Sequence, residues 1–422
     1  MGTQSFSKSE RKIANAINRF PVIKRGLKIA YQTLSYFLYR KTYKYKCIYP
    51  LETIQGAGET FFGYYDKSPI SENNRYILFH ESNHPTSRIP SKDKGISVAV
   101  FDLEANNLLY KKEIRPYNWQ QGSRLQWLGE NKFIFNNFDE ERGYHSVVTT
   151  ISEGGGIEEN LLSIPIYDCY GDKFALSLNF KRLNLMRPDY GYRNHPDITN
   201  IGQLHDDGVI KVDLKTQQTT LLISLQEIVN IESNSQILQS VEHKVNHIMI
   251  SPNGEQFMFL HRYFIGGRRY DRLMTYNFTS KEIKVLASDD MVSHCCWLDE
   301  HIIIGYLRDR VHGDKYYQID TRNGQKTVLG KGIIDRYGDG HPSVKNGLVL
   351  FDTYPDKARM KKLFTYDLVT SELVEMGEFF EGLNYSEQTR CDLHPRFSFD
   401  GERIFFDSVH TGKRQLYWFK KV

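Results

Sequence analysis

Cysteine is scarce in this sequence, and its few copies form no motif. The 422 residues include five cysteines, which is an odd number and a small one for the length. No two of them are spaced as CxxC. The pattern is not that of a secreted domain stapled by disulfides, and it indicates a reducing compartment.

Long apolar runs are absent as well. No stretch approaches the roughly 18 consecutive apolar residues of a transmembrane helix. The N-terminal region is basic, but it has neither the apolar core of roughly 7–15 residues nor the small-x-small cleavage site of a secretory signal. We therefore expect a cytoplasmic protein without a signal peptide.

Charge is unevenly distributed along the chain. The formal net charge is +4, yet residues 1–46 contain eleven Lys or Arg and a single acid, Glu10. This arm therefore carries +10, and the remaining 376 residues carry −6. An acidic body with basic residues confined to one arm argues against nucleic-acid binding.

The arm predicts two helices that are separated at Phe20 and Pro21. Apolar residues recur at helical spacing on both sides of this break, with Lys and Arg between them. A basic helix with an apolar, aromatic face can lie on an anionic membrane surface, here the inner face of the membrane. Two other interpretations stay open, a helix packed on the rest of the chain and an arm that docks on a partner protein.

A histidine returns about every 50 residues at the same place in one pattern. The segments VNHIMISPNGEQFMFL, VSHCCWLDEHIIIGY, GHPSVKNGLVLFD and LHPRFSFDGERIFFD each place it before a turn and a β-rich run. The four residues are His247, His294, His341 and His394, at spacings of 47, 47 and 53 residues. A repeat of this length with several strands per unit predicts a β-propeller.

The remainder of the chain extends this repeat to seven units. From about residue 55, β-branched and aromatic runs alternate with turn residues, and a strand of one type recurs in VFDLEANN, IKVDLKTQQ, MTYNFTSKE, YQIDTRNGQ and FTYDLVTSE. The last unit lacks an outer strand, which we expect the segment 47–54 to supply. The predicted fold class is all-β, a seven-bladed propeller (residues 47–422) preceded by a basic helical arm (residues 1–46).

One residue type at one repeat position predicts a ring of side chains around the propeller axis. Aligning the earlier units on the histidine places Lys67, Arg124 and Lys173 at the same position. A ring of cations attracts a polyanion, and converging neutral imidazoles suit a divalent metal such as Mn, Zn or Fe. The alternative is that each histidine only caps a strand by bonding its neighbour's backbone.

Other polar residues near the ring extend the candidate site. They are Tyr64, Tyr65, Asp66, His80, His84, Arg193, His261, Arg262, Cys296, Asp339, Gln388, Arg390, Cys391 and Asp392.

The histidine segments, with the C-terminal run RCDLHPRFSFDGERIFFDSVHTGKRQLYWF, resemble the seven-bladed propeller polysaccharide lyases. These include the oligogalacturonate lyases and, more distantly, the ulvan lyases. The resemblance implies β-elimination on a uronic-acid polymer, with an anionic oligo- or polysaccharide as partner and manganese or zinc as cofactor. It is strongest over residues 245–415 and leaves out the arm.

The resemblance also implies roles for single residues. It places the metal ligands at His294, His341, His394 and Gln388, although the run Gln388-x-x-Cys391-x-x-His394 departs from the family's pattern. No residue matches the family's base or acid. The candidate catalytic residues are Arg124, His84, Tyr65 and His247. The candidate substrate-binding residues are Lys67, Arg193, Arg262 and Arg390.

Two other functions stay open. The basic arm suits a non-catalytic propeller that binds glycans or scaffolds cell-surface polysaccharide biosynthesis at the membrane. A protein-interaction propeller of the WD or TolB type needs no histidine ring, and the WD dipeptide is absent from the sequence.

Overall fold

The computed structural model describes residues 21–55, 58–195, 201–231 and 235–421. Within these ranges the chain forms seven antiparallel sheets, six of four strands and one of five. The seven-bladed propeller predicted from the sequence is confirmed. No helix among the described residues is long and apolar enough to cross a membrane.

Four helices occur in the described ranges. The longest begins at Pro21, where a proline's fixed φ suits the first helical turn, and it confirms the second of the two helices predicted for the arm. The first predicted helix lies outside the described residues. The helices are α1 (Pro21–Tyr39), α2 (Phe180–Met186), α3 (Leu225–Asn230) and α4 (Ser235–Leu238).

Two short strands precede the blades, and each blade then follows the last along the chain. The short strands are β1 (Tyr45–Cys47) and β2 (Glu52–Thr53). Blade one contains β3 (Glu59–Phe61), β4 (Tyr76–Ser82), β5 (Ile96–Asp102) and β6 (Asn107–Ile114). Blade two contains β7 (Gln126–Trp127), β8 (Lys132–Asp139), β9 (Gly143–Ile151) and β10 (Ile157–Leu162). Blade three contains β11 (Asp168–Tyr170), β12 (Phe174–Ser177), β13 (Gly208–Asp213) and β14 (Thr219–Ser224).

The first strand of each of the four later blades begins within four residues of one of the repeated histidines. Blade four contains β15 (His243–Ile250), β16 (Gln256–Ile265), β17 (Arg268–Asn277) and β18 (Ile283–Ala287). Blade five contains β19 (Val292–Trp297), β20 (Ile302–Asp309), β21 (Gly313–Asp320) and β22 (Lys326–Val328). Blade six contains β23 (Ser343–Lys345), β24 (Leu348–Asp352), β25 (Met360–Asp367) and β26 (Leu373–Phe380). Blade seven contains β27 (Arg396–Phe397), β28 (Arg403–Ser408) and β29 (Gln415–Lys420).

The recurring third-strand motif has a local cause. In blade one, Asp102 ends the strand and its Oδ1 accepts hydrogen bonds from the backbone N–H groups of Glu104 and Ala105. A short acceptor that bonds the backbone two and three residues on stabilises a tight turn. Both bonds recur at the equivalent residues Asp213, Asn277 and Asp367, and Asp320 accepts the first of the two.

The segment before blade one closes the ring through two strands. β2 pairs with β29, so that Glu52 lies opposite Trp418 and Thr53 opposite Tyr417, and it supplies the fourth strand of blade seven as predicted. β1 pairs with β26 and makes blade six five-stranded. The chain segment before blade one therefore covers the outer edges of the last two blades, where unpaired N–H and C=O groups would otherwise face water.

A second set of contacts ties four of the blades to the blade that follows. The second strands of blades one, two, six and seven contain the matching sequences ILFH, FIFN, VLFD and IFFD. The polar residue at the end of each sequence, His80, Asn136, Asp352 or Asp407, accepts a hydrogen bond from a backbone N–H of the following blade. These bonds fix the chain segments that line the channel.

Chains that begin at residue 41 and at residue 55 separate the role of the closing strands from that of the helix. The first retains β1 and β2, and we expect its free energy of unfolding to stay near that of the full chain. The second exposes two sheet edges and removes buried Ile54, so we expect a loss of about 3 kcal/mol or more. Denaturant titration measures both, and equal free energies for the two chains would rule out closure by these strands.

Candidate functional site

The four repeated histidines meet in the channel. The ring centroids of His247 and His294 are 5.8 Å apart, those of His294 and His341 4.1 Å, and those of His341 and His394 4.3 Å. All four side chains are buried. Four side chains from four successive blades thus form one continuous cluster.

Unusual backbone at the repeat position turns these side chains into the channel. Arg124, His247 and His394 all have left-handed φ angles, of +57°, +51° and +45°, which are uncommon for residues other than glycine. His247 and His294 also lie where the pairing register of their strands shifts, and such bulges redirect a side chain. The shared φ supports the alignment of Arg124 with the histidines.

One part of the cluster has the composition of a metal site. His341, Asp392 and His394 each place one ligand atom so that all three atoms lie within 4.8 Å of one another. The Nε2 atoms of His341 and His394 are 4.0 and 3.9 Å from Oδ2 of Asp392. Both Nε2 atoms are buried, and neither has a hydrogen-bond partner among the described residues.

The opposite ring nitrogens explain why these two atoms can act as ligands. Nδ1 of His341 is 2.9 Å from the Asp352 carboxylate, and Nδ1 of His394 is 2.8 Å from the carbonyl oxygen of Gly63. Each Nδ1 therefore holds a proton, and Nε2 is the ring atom that faces Asp392 and can bind a metal when the ring is neutral. An outer carboxylate or carbonyl that fixes the tautomer is typical of metal-binding histidines.

The charges in this group are set by burial and by one another. Burial alone would raise the pKa of Asp392, but the charges of Arg390 and His341 hold the pKa well below its ordinary value. Burial would lower the pKa of His341, yet Asp352 and Asp392 raise it. Burial lowers the pKa of His394 well below its usual range. Asp392 is therefore an anion beside a neutral His394.

His294 and His247 continue the cluster as neutral imidazoles. Burial, with the nearby His341, lowers the pKa of His294 to about 4, and its Nδ1 is 3.3 Å from Asp339. Burial and the charge of Arg262 lower the pKa of His247 well below its ordinary value. Both rings thus stay uncharged at neutral pH.

Gln388 and Cys391 lie apart from the metal-type group. The side-chain oxygen of Gln388 accepts a hydrogen bond from the Arg193 guanidinium. Burial raises the pKa of the Cys391 thiol to about 12, so it stays protonated. At the place where the family resemblance implies Gln388, the structure brings Asp392.

Two tyrosines from blade one complete the cluster. The Tyr64 hydroxyl forms a hydrogen bond with Nδ1 of His247. The Tyr65 ring lies 5.5 Å from His341 and 6.1 Å from His394, and its hydroxyl donates to the carbonyl oxygen of Cys295 at 2.9 Å. Tyr65 and His247, both candidates from the sequence, therefore share one site.

A cation-rich region adjoins His247. Lys244 lies three residues earlier on β15, and its buried Nζ has no hydrogen-bond partner among the residues described. Burial and the charge of Arg262 lower the pKa of Lys244 well below its ordinary value. The other charges acting on Lys244 include Arg187 and the acids Asp189 and Asp271. Sequence reasoning found only Arg262, since an isolated lysine on a strand carries no signal of its surroundings.

The cluster reaches the surface beside Tyr354 and Arg390. The Tyr354 side chain is 39% exposed, and its ring lies 5.7 Å from that of His341. Arg390 bridges two carboxylates, with Nε 2.6 Å from Asp392 and a terminal nitrogen 2.9 Å from Asp189. We call this border, defined by Tyr354 and Arg390, the channel mouth.

The lysine and arginine predicted at the ring position are neutralised by acids. Lys67 forms an ion pair with Asp168, and Arg124 pairs with Asp66 at 2.7 Å. A cavity of about 220 Å³ lies on this side, between Lys67, Asp66 and Asp168 on one wall and apolar residues on the other. Both cations are therefore neutralised on this side of the channel. The prediction that Lys173 belongs to the ring is wrong, because this residue lies in an exposed turn outside the channel.

His84 lies away from the cluster as well. Its Nε2 is 3.3 Å from the Tyr117 hydroxyl, and its ring packs 5.7 Å from that of Trp119. Burial lowers its pKa. No contact joins it to the four channel histidines among the described residues, so the geometry gives it no part in their chemistry.

Asp352 is a residue that the sequence could have identified. It closes the repeated run VLFD, which matches IFFD in blade seven, so the repeat itself marks the position. Asp339 and Asp392 were found as neighbours of histidines in the sequence. Tyr354 and Lys244 become part of the site only through folding.

Comparisons with known proteins extend only to structures. Neither a protein-family model nor a curated protein sequence matches the chain. An oligogalacturonate lyase from Vibrio parahaemolyticus is similar in structure, with 10% identity and a TM-score of 0.57 over 90% of this chain and 97% of that one. At this identity the likeness shows the propeller fold, and the resemblance stated from the sequence is confirmed at that level.

Weaker structural likenesses follow. An oligogalacturonate lyase in complex with manganese is 12% identical, with a TM-score of 0.40 over 90% of this chain and 99% of that one. TolB from Acinetobacter baumannii is 12% identical, with a TM-score of 0.40 over 78% of this chain and 76% of that one.

His80 makes the stability of the fold depend on pH, because its neutral imidazole forms hydrogen bonds to two chain segments of the channel. Its Nδ1 is 3.0 Å from the carbonyl oxygen of Phe62, and its Nε2 accepts from the Ser123 backbone N–H at 3.0 Å. Burial lowers its pKa from 6.5 to about 3. A group with a lowered folded pKa contributes stability above pH 6.5 that is lost as the pH falls towards 3, by about 1.4 kcal/mol per pH unit.

Between pH 6 and 4, we expect the unfolding free energy of His80→Gln to change by about 1.4 kcal/mol per pH unit less than that of the wild type. The exposed His312 offers the matched control, His312→Gln, whose slope should equal that of the wild type. Urea titrations at several pH values provide the slopes. Identical slopes for all three proteins would contradict a neutral, buried His80.

Proposed function

We propose that the channel binds an anionic, uronic-acid-containing glycan and cleaves it by β-elimination. The observation that carries this proposal is the juxtaposition of a metal-type group with a cation-rich region. His341, Asp392 and His394 form the first, and Lys244 and Arg262 belong to the second. The two lie on either side of His294 and His247 in one continuous cluster.

The metal-type group suits a divalent transition metal. The two free Nε2 atoms of His341 and His394 and the Asp392 carboxylate would hold it, with His294 beside them. Imidazole and carboxylate ligands together favour manganese, zinc or iron. When bound there, such a metal acts as a Lewis acid that stabilises negative charge on a substrate carboxylate.

The cation-rich region suits the carboxylate of the substrate. The charges that act on Lys244 and Arg269 include the guanidinium groups of Arg187 and Arg262 and the carboxylates of Asp189 and Asp271. A buried site with excess positive charge attracts an anion. A uronate carboxylate would give the buried Lys244 amine a partner, which the described residues do not supply.

His247 is the candidate base. Its imidazole is neutral, and when its Nδ1–H donates to the Tyr64 hydroxyl oxygen, its Nε2 carries the lone pair that takes the substrate proton. The base removes the proton α to the carboxylate, and the electron pair of that C–H bond forms a C=C bond as the C–O bond to the leaving sugar breaks. The leaving oxygen takes up one proton, and the candidate donors are two phenols. Tyr64 contacts His247, and Tyr354 contacts His341.

A second candidate function is glycan binding without cleavage, in a scaffold for cell-surface polysaccharide assembly. The observation that favours it is the depth of the cluster, since His341 is 1% and His394 2% exposed. Such burial leaves a polymer little access to these rings. In this case the exposed mouth at Tyr354 and Arg390 would bind the glycan and no product would form.

Elemental analysis tests the metal. We expect about one transition-metal ion per wild-type chain and a loss of at least half of it in Asp392→Asn, because the substitution keeps the shape of the side chain and removes its charge. His341→Ala should lose it as well, whereas the exposed-residue control His312→Ala should retain it. Wild-type protein that takes up no metal after incubation with manganese or zinc would refute the site.

A panel of uronic-acid polymers tests the reaction. Cleavage produces a conjugated unsaturated uronate that absorbs in the near ultraviolet. For Lys244→Met we expect kcat/KM to fall by about 30-fold or more, since a substrate carboxylate would lose a buried partner. The exposed Lys413 supplies the control, Lys413→Met. Retention on a glycan column without any product would favour the binding scaffold, and equal activity of Lys244→Met would exclude the proposed carboxylate site.

A further inference from the structure

Helix α1 turns an apolar stripe towards solvent. Leu27, Tyr31, Leu34 and Leu38 follow one another at intervals of four, three and four residues, so they share one face of the helix. All four are exposed, and Leu34 and Leu38 are the most exposed, at 60% and 71%. A helix that packs on a protein core normally turns such a face inward.

The side of α1 that meets the propeller is small and aromatic instead. Ser35 is buried, and the Tyr36 ring packs 5.5 Å from that of Phe380 at the end of β26. Just after the helix, Lys41 and Tyr43 both bond to Glu378 of the same strand. The helix is therefore held on blade six by contacts that leave Leu27, Leu34 and Leu38 exposed within the part of the chain that the structure describes.

The charge around the stripe has one sign. Residues 21–46 contain seven Lys or Arg and no acid. Arg40, Lys44 and Lys46 are exposed, whereas Lys41 is paired with Glu378. An apolar face flanked by unopposed cations complements an anionic lipid surface, where the side chains enter the interface and the cations meet the headgroups.

The aromatic residues of α1 fit the same surface. Tyr31, Phe37 and Tyr39 are exposed beside the leucines. Tyrosine rings have an apolar body and a polar tip, and they are enriched at the boundary between lipid and water. An acidic protein partner would explain the cations of α1 as well as lipid phosphate does. It would not explain the aromatic residues, which suit the lipid–water boundary.

The end of α1 lies close to the channel mouth. The Nζ atom of Lys357 is 5.6 Å from the centre of the Tyr39 ring. Lys357 belongs to the loop between β24 and β25, and the same loop carries Tyr354, whose ring packs on His341. The stripe and the mouth are thus joined by one short loop.

We propose that the apolar stripe of α1 docks on an anionic lipid bilayer and places the channel mouth beside its surface. The helix then lies along the interface, with Leu27, Leu34 and Leu38 among the acyl chains. Substrates held at that surface would meet the channel directly. The docking itself does not depend on the proposed lyase reaction, because none of the stripe residues belongs to the histidine cluster.

Vesicle sedimentation with the full chain tests this proposal. We expect the wild type to bind vesicles of phosphatidylcholine with phosphatidylglycerol at least about tenfold more tightly than vesicles of phosphatidylcholine alone, and to be released by salt. The double variant Leu34→Glu/Leu38→Glu should lose at least about tenfold in affinity, because charges replace two leucines that enter the bilayer on docking. Arg40→Gln should weaken binding by about fivefold.

The control places the same substitution on exposed apolar residues elsewhere. Val311 and Val369 lie in exposed hairpin turns, and Val311→Glu/Val369→Glu should bind as the wild type does. Equal melting temperatures of all variants show that the fold is intact. A wild type that fails to bind the anionic vesicles, or a stripe variant that binds them equally well, overturns the proposal. The proposal also fails if the wild type is a dimer that does not bind vesicles and the stripe variant is a monomer. A second copy of the chain would then cover the stripe.

Discussion

The Asp352 carboxylate is the contact on which the candidate site depends. It accepts hydrogen bonds from the backbone N–H of His341, from the backbone N–H of His394 and from Nδ1 of His341. One buried side chain thereby ties blade six to blade seven and fixes the tautomer of the imidazole between them. The fold and the site therefore depend on the same bonds. A buried carboxylate that lost these partners would reduce the free energy of unfolding by several kcal/mol.

The channel divides into two electrostatic halves for the same reason. Around Lys67 and Arg124, each cation lies against an acid, so this half is neutral and serves the packing of blades one to three. Around Asp392, the carboxylate stays charged, and the Nε2 atoms of His341 and His394 have no hydrogen-bond partner among the described residues. Unsatisfied buried polar atoms are rare in native proteins. Two such nitrogens beside one carboxylate mark the place where a ligand would complete their bonding.

Much of the architecture could be predicted from the repeated segments. Recurrent strand patterns, turn residues and one histidine per unit predicted seven blades, and the missing strand of the last blade predicted closure by the segment before the first. The carboxylate partners were harder to predict. Asp392 and Gln388 are both close to His394 in sequence, and only the path of the 3-10 turn at residues 387–389 turns Gln388 to Arg193 and leaves Asp392 beside the imidazoles.

The sequence by itself determined the repeat, and with it the convergence of His247, His294, His341 and His394, because equivalent residues of a cyclic array must surround one axis. Tertiary structure alone decided which of them keep a free nitrogen, since that depends on what Asp352 and Gly63 bond. It also decided that Lys67 and Arg124 are paired with acids and that the Lys244 amine has no hydrogen-bond partner among the residues described. Neighbours across a propeller are far apart in the chain, so the charge balance of a buried group cannot be read from local sequence. The outward stripe of α1 has the same origin, since its periodicity is visible in the sequence but its direction is set by the contacts of the opposite face with blade six.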